Sequence, residues 1–270
     1  APGAVQSCGA AVLLELGRYF AGTQTQRPVY LLFAGGHGQA VAGMKDFVGR
    51  VRRQQKGTPP AADAPLLAEL GTPGLFVGLD ITSRSEQFGL FALGRLCGQY
   101  EHRIRPKFSV LGAELSAYAA SFGRQPGDPE SSAEPRNVID CINLTRGRNW
   151  WTYFPFQAPF ASEIPVLAGI PGITFASVND DRRYVDTPED RPERLRLDLL
   201  QRQIASVPGV QAGVAALAQA LTSWSGPFVS SELPSGWATL EGRVVWLDQE
   251  RNYVPSEPLN GAIVDRKSVV

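Results

Sequence analysis

The chain has 270 residues with 43% hydrophobic content, enough for one large domain with its own core and room for a small second one. Its 26 Lys and Arg balance its 26 Asp and Glu, so no net field draws it towards nucleic acid or an anionic membrane. No apolar run approaches membrane-spanning length, and the N-terminus lacks the basic-then-apolar order of a signal peptide. The local basic cluster Arg50, Arg52, Arg53 and Lys56 is expected to be the solvated end of a helix.

Gly9 to Phe20 carries apolar residues at Val12, Leu13, Leu16, Tyr19 and Phe20, a stripe that predicts a helix packed on a sheet. The run VYLLFAGG that follows has the continuous apolar character of a strand buried in a parallel sheet. Gln39 to Gln55 reads as a second helix. KGTPPAADAP is a surface loop, and GLFVGLDITS a second buried strand ending in polar residues. QFGLFALG suits a neighbouring strand, and Lys107 to Phe122 a helix.

GRQPGDPESSAEP, from Gly123 to Pro135, has little to bury and reads as a mobile or inserted loop. VIDCINL suits an edge strand and IPGITFASV a core strand. Arg191 to Leu221 holds two helical patterns split at Pro208-Gly209. After Trp224 the composition becomes linker-like, and from Ala238 it alternates in the strand manner. The expected organisation is an α/β domain over residues 1–223, a linker over 224–237 and a β segment over 238–270. The abrupt start before a helix and the end inside a strand are what a fragment or processed product would show.

Cys8, Cys97 and Cys141 are too few and too widely spaced for a disulfide framework or a CxxC metal knuckle. One pair could bridge, or all three could be buried free thiols. Asn143-Leu144-Thr145 matches a glycosylation sequon, a common pattern. GGHG lacks the spacing of a phosphate loop, and no GxSxG elbow is present, which disfavours nucleotide binding and serine hydrolysis.

Four segments in order resemble the di-zinc aminopeptidase superfamily, which includes glutamate carboxypeptidase, glutaminyl cyclase and the transferrin receptor ectodomain. SCGAAVLLELGRYF is similar to that family's SGVAALLELAR helix, and RPVYLLFAGGHGQAVAGMKDFV to its RPVLFVAFDGEELGLLGSRAFV pattern. LFVGLDITS resembles its NLDMIG strand end, and the segment from Ala161 to Asp190 its SDHYPF, AGIP and YHTPEDTPE motifs. Together they span Ser7 to Val207. The resemblance implies a three-layer α/β sandwich with a mostly parallel central sheet. The tail resembles a carboxypeptidase regulatory-like module, through Gly242-Arg243-Val244 and Pro258-Leu259-Asn260-Gly261-Ala262-Ile263-Val264, and implies the start of a small β-sandwich.

Family enzymes hold two zinc ions with histidines and carboxylates and deprotonate a bridging water with a glutamate, so each ligand matters electrostatically. Laid on that pattern, this chain has Val5 or Gln6 for the bridging aspartate, His37 and Gly38 for the glutamate pair, Glu163 for an aspartate and Asp186 for the last histidine. Asp80 matches a ligand position by the resemblance, while a carboxylate at a strand end more often caps the next turn. His37, Asp80, Glu163 and Asp186 are the vestigial candidates, with Asp80 the best remaining metal ligand. The other histidine, His102, lies outside every matched motif.

His37 sits in a glycine-rich turn at a strand end, where it serves as a solvent-facing turn residue or, with a partner, as a base. Trp150, Trp151, Tyr153 and Phe154 form an aromatic cluster suited either to a core-lining loop or to a recognition surface. The resemblance implies an inactive aminopeptidase-like domain with no cofactor, whose partners are proteins or other domains of a longer polypeptide, as in the non-catalytic family members. The alternatives are a divergent zinc hydrolase and a peptide- or glycan-binding domain using the old cleft. Family resemblance points to an extracytoplasmic or lumenal setting.

Overall fold

A computed structural model describes residues 7–36, 41–57, 69–71, 73–122, 138–144, 148–153, 159–180, 182–185, 187–204, 213–233, 245–248 and 254–258. The chain divides into two compact units, Ala1–Trp237 and Ala238–Val270. The first unit is α/β. Its described helices are α1 (Ser7–Ala21), α2 (Ala42–Gln55), α3 (Glu101–Phe122), α4 (Glu163–Leu167), α5 (Leu197–Ile204) and α6 (Val214–Ser223). Its strands are β1 (Phe76–Asp80), β2 (Phe88–Phe91), β3 (Val138–Asp140) and β4 (Gly172–Ser177). No helix among the described residues is long and apolar enough to cross a membrane.

The four strands form one sheet in the order β1-β4-β2-β3. β1 runs parallel to β4 and β2 parallel to β3, while β2 and β4 are antiparallel, so the sheet is mixed. Every residue of β2 and β4 is buried, as their apolar runs predict. Phe88 on β2 tilts against Phe175 on β4 with ring centroids 5.9 Å apart, and each such side chain contributes about 1.5–3 kcal/mol through burial. GLFVGLDITS does supply a strand, but one only half-buried: β1 is the sheet's edge, and Val77 is exposed. Pattern alone cannot tell an edge from a centre, because both satisfy the same local apolar run.

Alternation places Phe76, Gly78 and Thr174 on one face of the sheet and Leu79, Phe175 and Ser177 on the other. Cys8, Val12 and Leu16, spaced four apart on α1, join the large core that contains Phe175. A side chain at Gly9 would press on the Leu79 carbonyl of β1, so glycine allows the helix to lie close. On α3, Ile104, Phe108, Leu111, Leu115 and Ala119 make one buried stripe in the same core. α3 starts ahead of the expected Lys107 and takes in Pro106, whose missing N–H deprives only the exposed turn around His102. Met44 and Val48 of α2 pack with Ile164 of α4 and with Phe76. The basic cluster closes α2, where Arg52 and Arg53 face the negative end of the helix dipole.

The largest departure from expectation is VYLLFAGG. Residues 28–36 form no strand, and Val29, Tyr30, Leu31 and Phe33 are exposed rather than buried. No described strand pairs with this segment, so its apolar character meets solvent. The expected linker also differs: its described part, residues 224–233, is packed. Trp224 stacks on Phe228, Arg27 donates to the Trp224 carbonyl at 2.7 Å, Ser230 N donates to Lys107 O, and Phe228 and Leu233 are buried. Proline and serine content marks irregular backbone, which large aromatic side chains can still anchor.

In the second unit, β5 (Val245–Asp248) and β6 (Val254–Pro258) pair antiparallel, with an irregularity between Val245 and Leu247. The residues carrying the regulatory-module resemblance at 242–244 and 259–264 lie outside the described residues, as do the loops expected over 58–65 and 123–135.

Candidate functional site

The parallel strands β1 and β4 end side by side, with Asp80 in register with Ala176. Ligands of α/β folds gather at this carboxyl end of parallel strands, because the loops that leave it are free to vary. Here the described residues that follow are 81–85, 178–180 and 182–185, and a buried polar network ties them together.

Thr82 N donates to Ser177 Oγ at 2.8 Å, and Ser177 Oγ donates to Gln203 Oε1 at 2.7 Å. Gln203, on α5 and fully buried, returns its amide hydrogens to the carbonyls of Thr82 and Ser85. Thr82 Oγ1 donates to Asp180 Oδ2 at 2.6 Å, while Asp180 Oδ1 accepts the Arg182 backbone N–H at 3.0 Å. Each buried group thus meets a partner that offsets its desolvation. The network forces unusual backbone: Asn179 and Arg182 both adopt left-handed conformations, with φ of 56° and 48°. Such residues cost about 1–3 kcal/mol each and persist where surrounding bonds hold them.

The turn delivers Arg182 to the strand ends. Its Nη1 donates to Asp80 Oδ1 at 2.6 Å, and its Nη2 reaches the carbonyls of Asp80 at 3.2 Å and Ser177 at 3.3 Å. Both side chains are largely withdrawn from solvent, 11% and 18% exposed. Asp80 therefore receives a cation from its own chain, and the guanidinium also satisfies the last carbonyls of both strands.

Glu163 does a different job. It opens α4, is fully buried, and accepts backbone N–H groups from Gly94 at 2.8 Å and Cys97 at 2.7 Å on Oε1 and from Phe160 at 2.8 Å on Oε2. Burial pushes its carboxyl above the usual range, with the three amides pulling the other way. It organises the 94–97 loop and is bonded to none of Asp80, Asp180 or Arg182 among the described contacts. His37, Gly38 and Asp186 lie outside the described residues, as do Val5, Gln6 and Phe154. His102 is exposed on the first turn of α3.

Among the described residues, no three of His, Cys, Asp and Glu converge as a metal-holding group. The described residues do not fit the di-zinc centre that the resemblance implies. Asp80 Oδ1 is engaged by a guanidinium, which leaves Oδ2 alone without a partner, both Glu163 oxygens are taken by amides, and the sequence offers glycine at position 38 where the resemblance expects an anionic ligand.

The aromatic cluster splits. Trp150 is buried in the main core and so is withdrawn from any open surface, while Tyr153 packs against that core half-buried. Trp151, set edge-on to Trp150 with centroids 6.0 Å apart, is 49% exposed. Tyr153 O accepts Asn179 N at 3.2 Å, which fixes this turn beside the Asp180 loop. The sequon asparagine is also engaged: Asn143 donates to Ser109 O and Asp140 Oδ2 and accepts Ser109 Oγ at 2.6 Å. Cys8, Cys97 and Cys141 are free and buried, and burial pushes all three thiols up.

The residues that sequence reasoning missed are Thr82, Asp180, Arg182 and Gln203. The signal for two of them was the NDDRR run immediately after the core strand, polar residues at a strand's carboxyl end. A scan against protein-family models, a search of curated proteins and a search of solved structures each gave no match to this chain.

Proposed function

We propose that this chain is a catalytically inactive aminopeptidase-like domain that serves protein interaction or assembly. The observation that carries the reading is the Arg182 guanidinium bound to Asp80 at 2.6 Å, a fixed cation at the position where the resemblance puts a metal ligand. An arginine side chain neutralises the aspartate and joins the strand ends but presents no Lewis acid and no activated water. The fold needs its strands and helices, not the metal, so it survives loss of the reaction.

The finer architecture belongs to the same proposal. Helices α2 and α4 on the Phe76 face and α1 and α5 on the opposite face support a three-layer sandwich. The hairpin β5–β6 is the start of the regulatory-like β module.

The test is zinc content by elemental analysis, together with hydrolysis of amino-acid anilides. The expected result is less than one zinc per chain and no hydrolysis. Stoichiometric zinc that Asp80→Ala abolishes overturns the reading.

A further inference from the structure

The run 29–33 combines two unmet needs. Val29, Tyr30, Leu31 and Phe33 are 38%, 45%, 40% and 54% exposed. The backbone from 28 to 34 makes no hydrogen bond to any described residue. Successive side chains turn opposite ways as in a strand: Leu31 Cδ1 lies against Gly17 of α1, while Leu32 packs in the cluster of Met44 and Val48. Extended apolar segments with open backbone are ordinarily blunted in monomers by charge or proline, yet Val29 to Gly36 contains no charged residue and no proline. An apolar side chain on a partner would meet only the first need. A β-strand meets both, because it brings N–H and C=O groups as well as side chains.

We infer that this extended segment pairs with the same segment of a second copy, antiparallel about a twofold axis through Leu31. In that register Val29 faces Phe33, Tyr30 faces Leu32 and Leu31 faces its own copy, so every central pair is apolar. The nearest charge, Arg27, falls opposite Gly35, and no like charges oppose. The segment is thus complementary to itself in both shape class and charge, and a twofold contact closes at two copies. The inference rests on the assembly role proposed above and names its partner.

The experiment uses the whole chain. Sedimentation velocity and light scattering give twice the mass of one chain. Phe33→Lys, which sets an ammonium opposite Val29 twice in the dimer, weakens association by at least about tenfold. Leu31→Cys crosslinks to its copy under mild oxidation, since opposed antiparallel residues lie about 4.5–5.5 Å apart at Cα, within disulfide reach. Leu14→Cys, at a position 58% exposed on α1, does not crosslink. The buried native thiols give no background. A monomer at every concentration, a dimer indifferent to Phe33→Lys, or Leu14→Cys crosslinking as fast as Leu31→Cys overturns the pairing. A monomer without zinc sinks the pairing alone, whereas a dimer with stoichiometric zinc sinks only the metal-free reading.

Discussion

Arg182 and Asp80, 102 positions apart in sequence, meet at 2.6 Å where two parallel strands end. The guanidinium binds the carboxylate with one nitrogen and both strands' terminal carbonyls with the other. The strand ends therefore depend on a planar, two-nitrogen cation, which gives a direct prediction. Arg182→Ala leaves the sheltered Asp80 charge uncompensated and destabilises by about 2–4 kcal/mol in urea unfolding. Arg182→Lys recovers at most about half of that loss, because one ammonium cannot reproduce the fork. Equal stability of the alanine variant and the parent shows the pair to be dispensable.

Glu163→Gln places an NH2 group against backbone donors that now face a carboxylate. The expected loss is about 2 kcal/mol, read from denaturation midpoints. The pH dependence has a definite sign. Burial raises the folded-state carboxyl above its ordinary 4.5, so the folded protein binds this proton more tightly than the unfolded one. The stability from that tighter proton binding is complete below 4.5 and is lost as pH rises through the raised value. The stability gap between parent and Glu163→Gln is therefore wider at acid pH than at neutral pH. A gap that widens towards neutral pH contradicts the assignment.

Adjacent tryptophans should behave oppositely. Trp150→Ala empties a core position and costs about 3–5 kcal/mol, whereas Trp151→Ala stays within about 0.5 kcal/mol. Thermal unfolding of the two variants separates them.

All three thiols are buried and shifted upward, so little thiolate is present to react. Thiol reagents at mildly alkaline pH are expected to modify the native protein far more slowly than the denatured one, which yields three equivalents. A fast-reacting native equivalent refutes the burial of at least one cysteine.

Local pattern carried most of the helices. The apolar stripe through Val12, Leu16 and Phe20 announces α1, although Tyr19 of the same stripe is exposed, and the IPGITFASV segment announces the core strand β4. Asp80 was visible as a carboxylate at a strand end, because strand ends change from apolar to polar composition within a few residues. Its partner was not: NDDRR offers two adjacent arginines, and only the left-handed turn at Arg182 selects one of them. Glu163 resembles a relic ligand by its place in the SDHYPF-like segment, yet three amides from residues 94, 97 and 160 claim its oxygens.

The sequence by itself determined the α/β class, the periodic elements and the absence of glutamate at position 38, since each depends on residues near one another in the chain. Tertiary structure decided which strands are edges, that β2 runs antiparallel to β4, that 224–233 packs, and that Val29, Tyr30, Leu31 and Phe33 face solvent. Burial is a property of what lies across a contact, and no periodicity records what is or is not there to cover it. The same reason separates Asp80 as a residue from Asp80 as half of an ion pair: the charge is local, while the cation that answers it arrives through the fold.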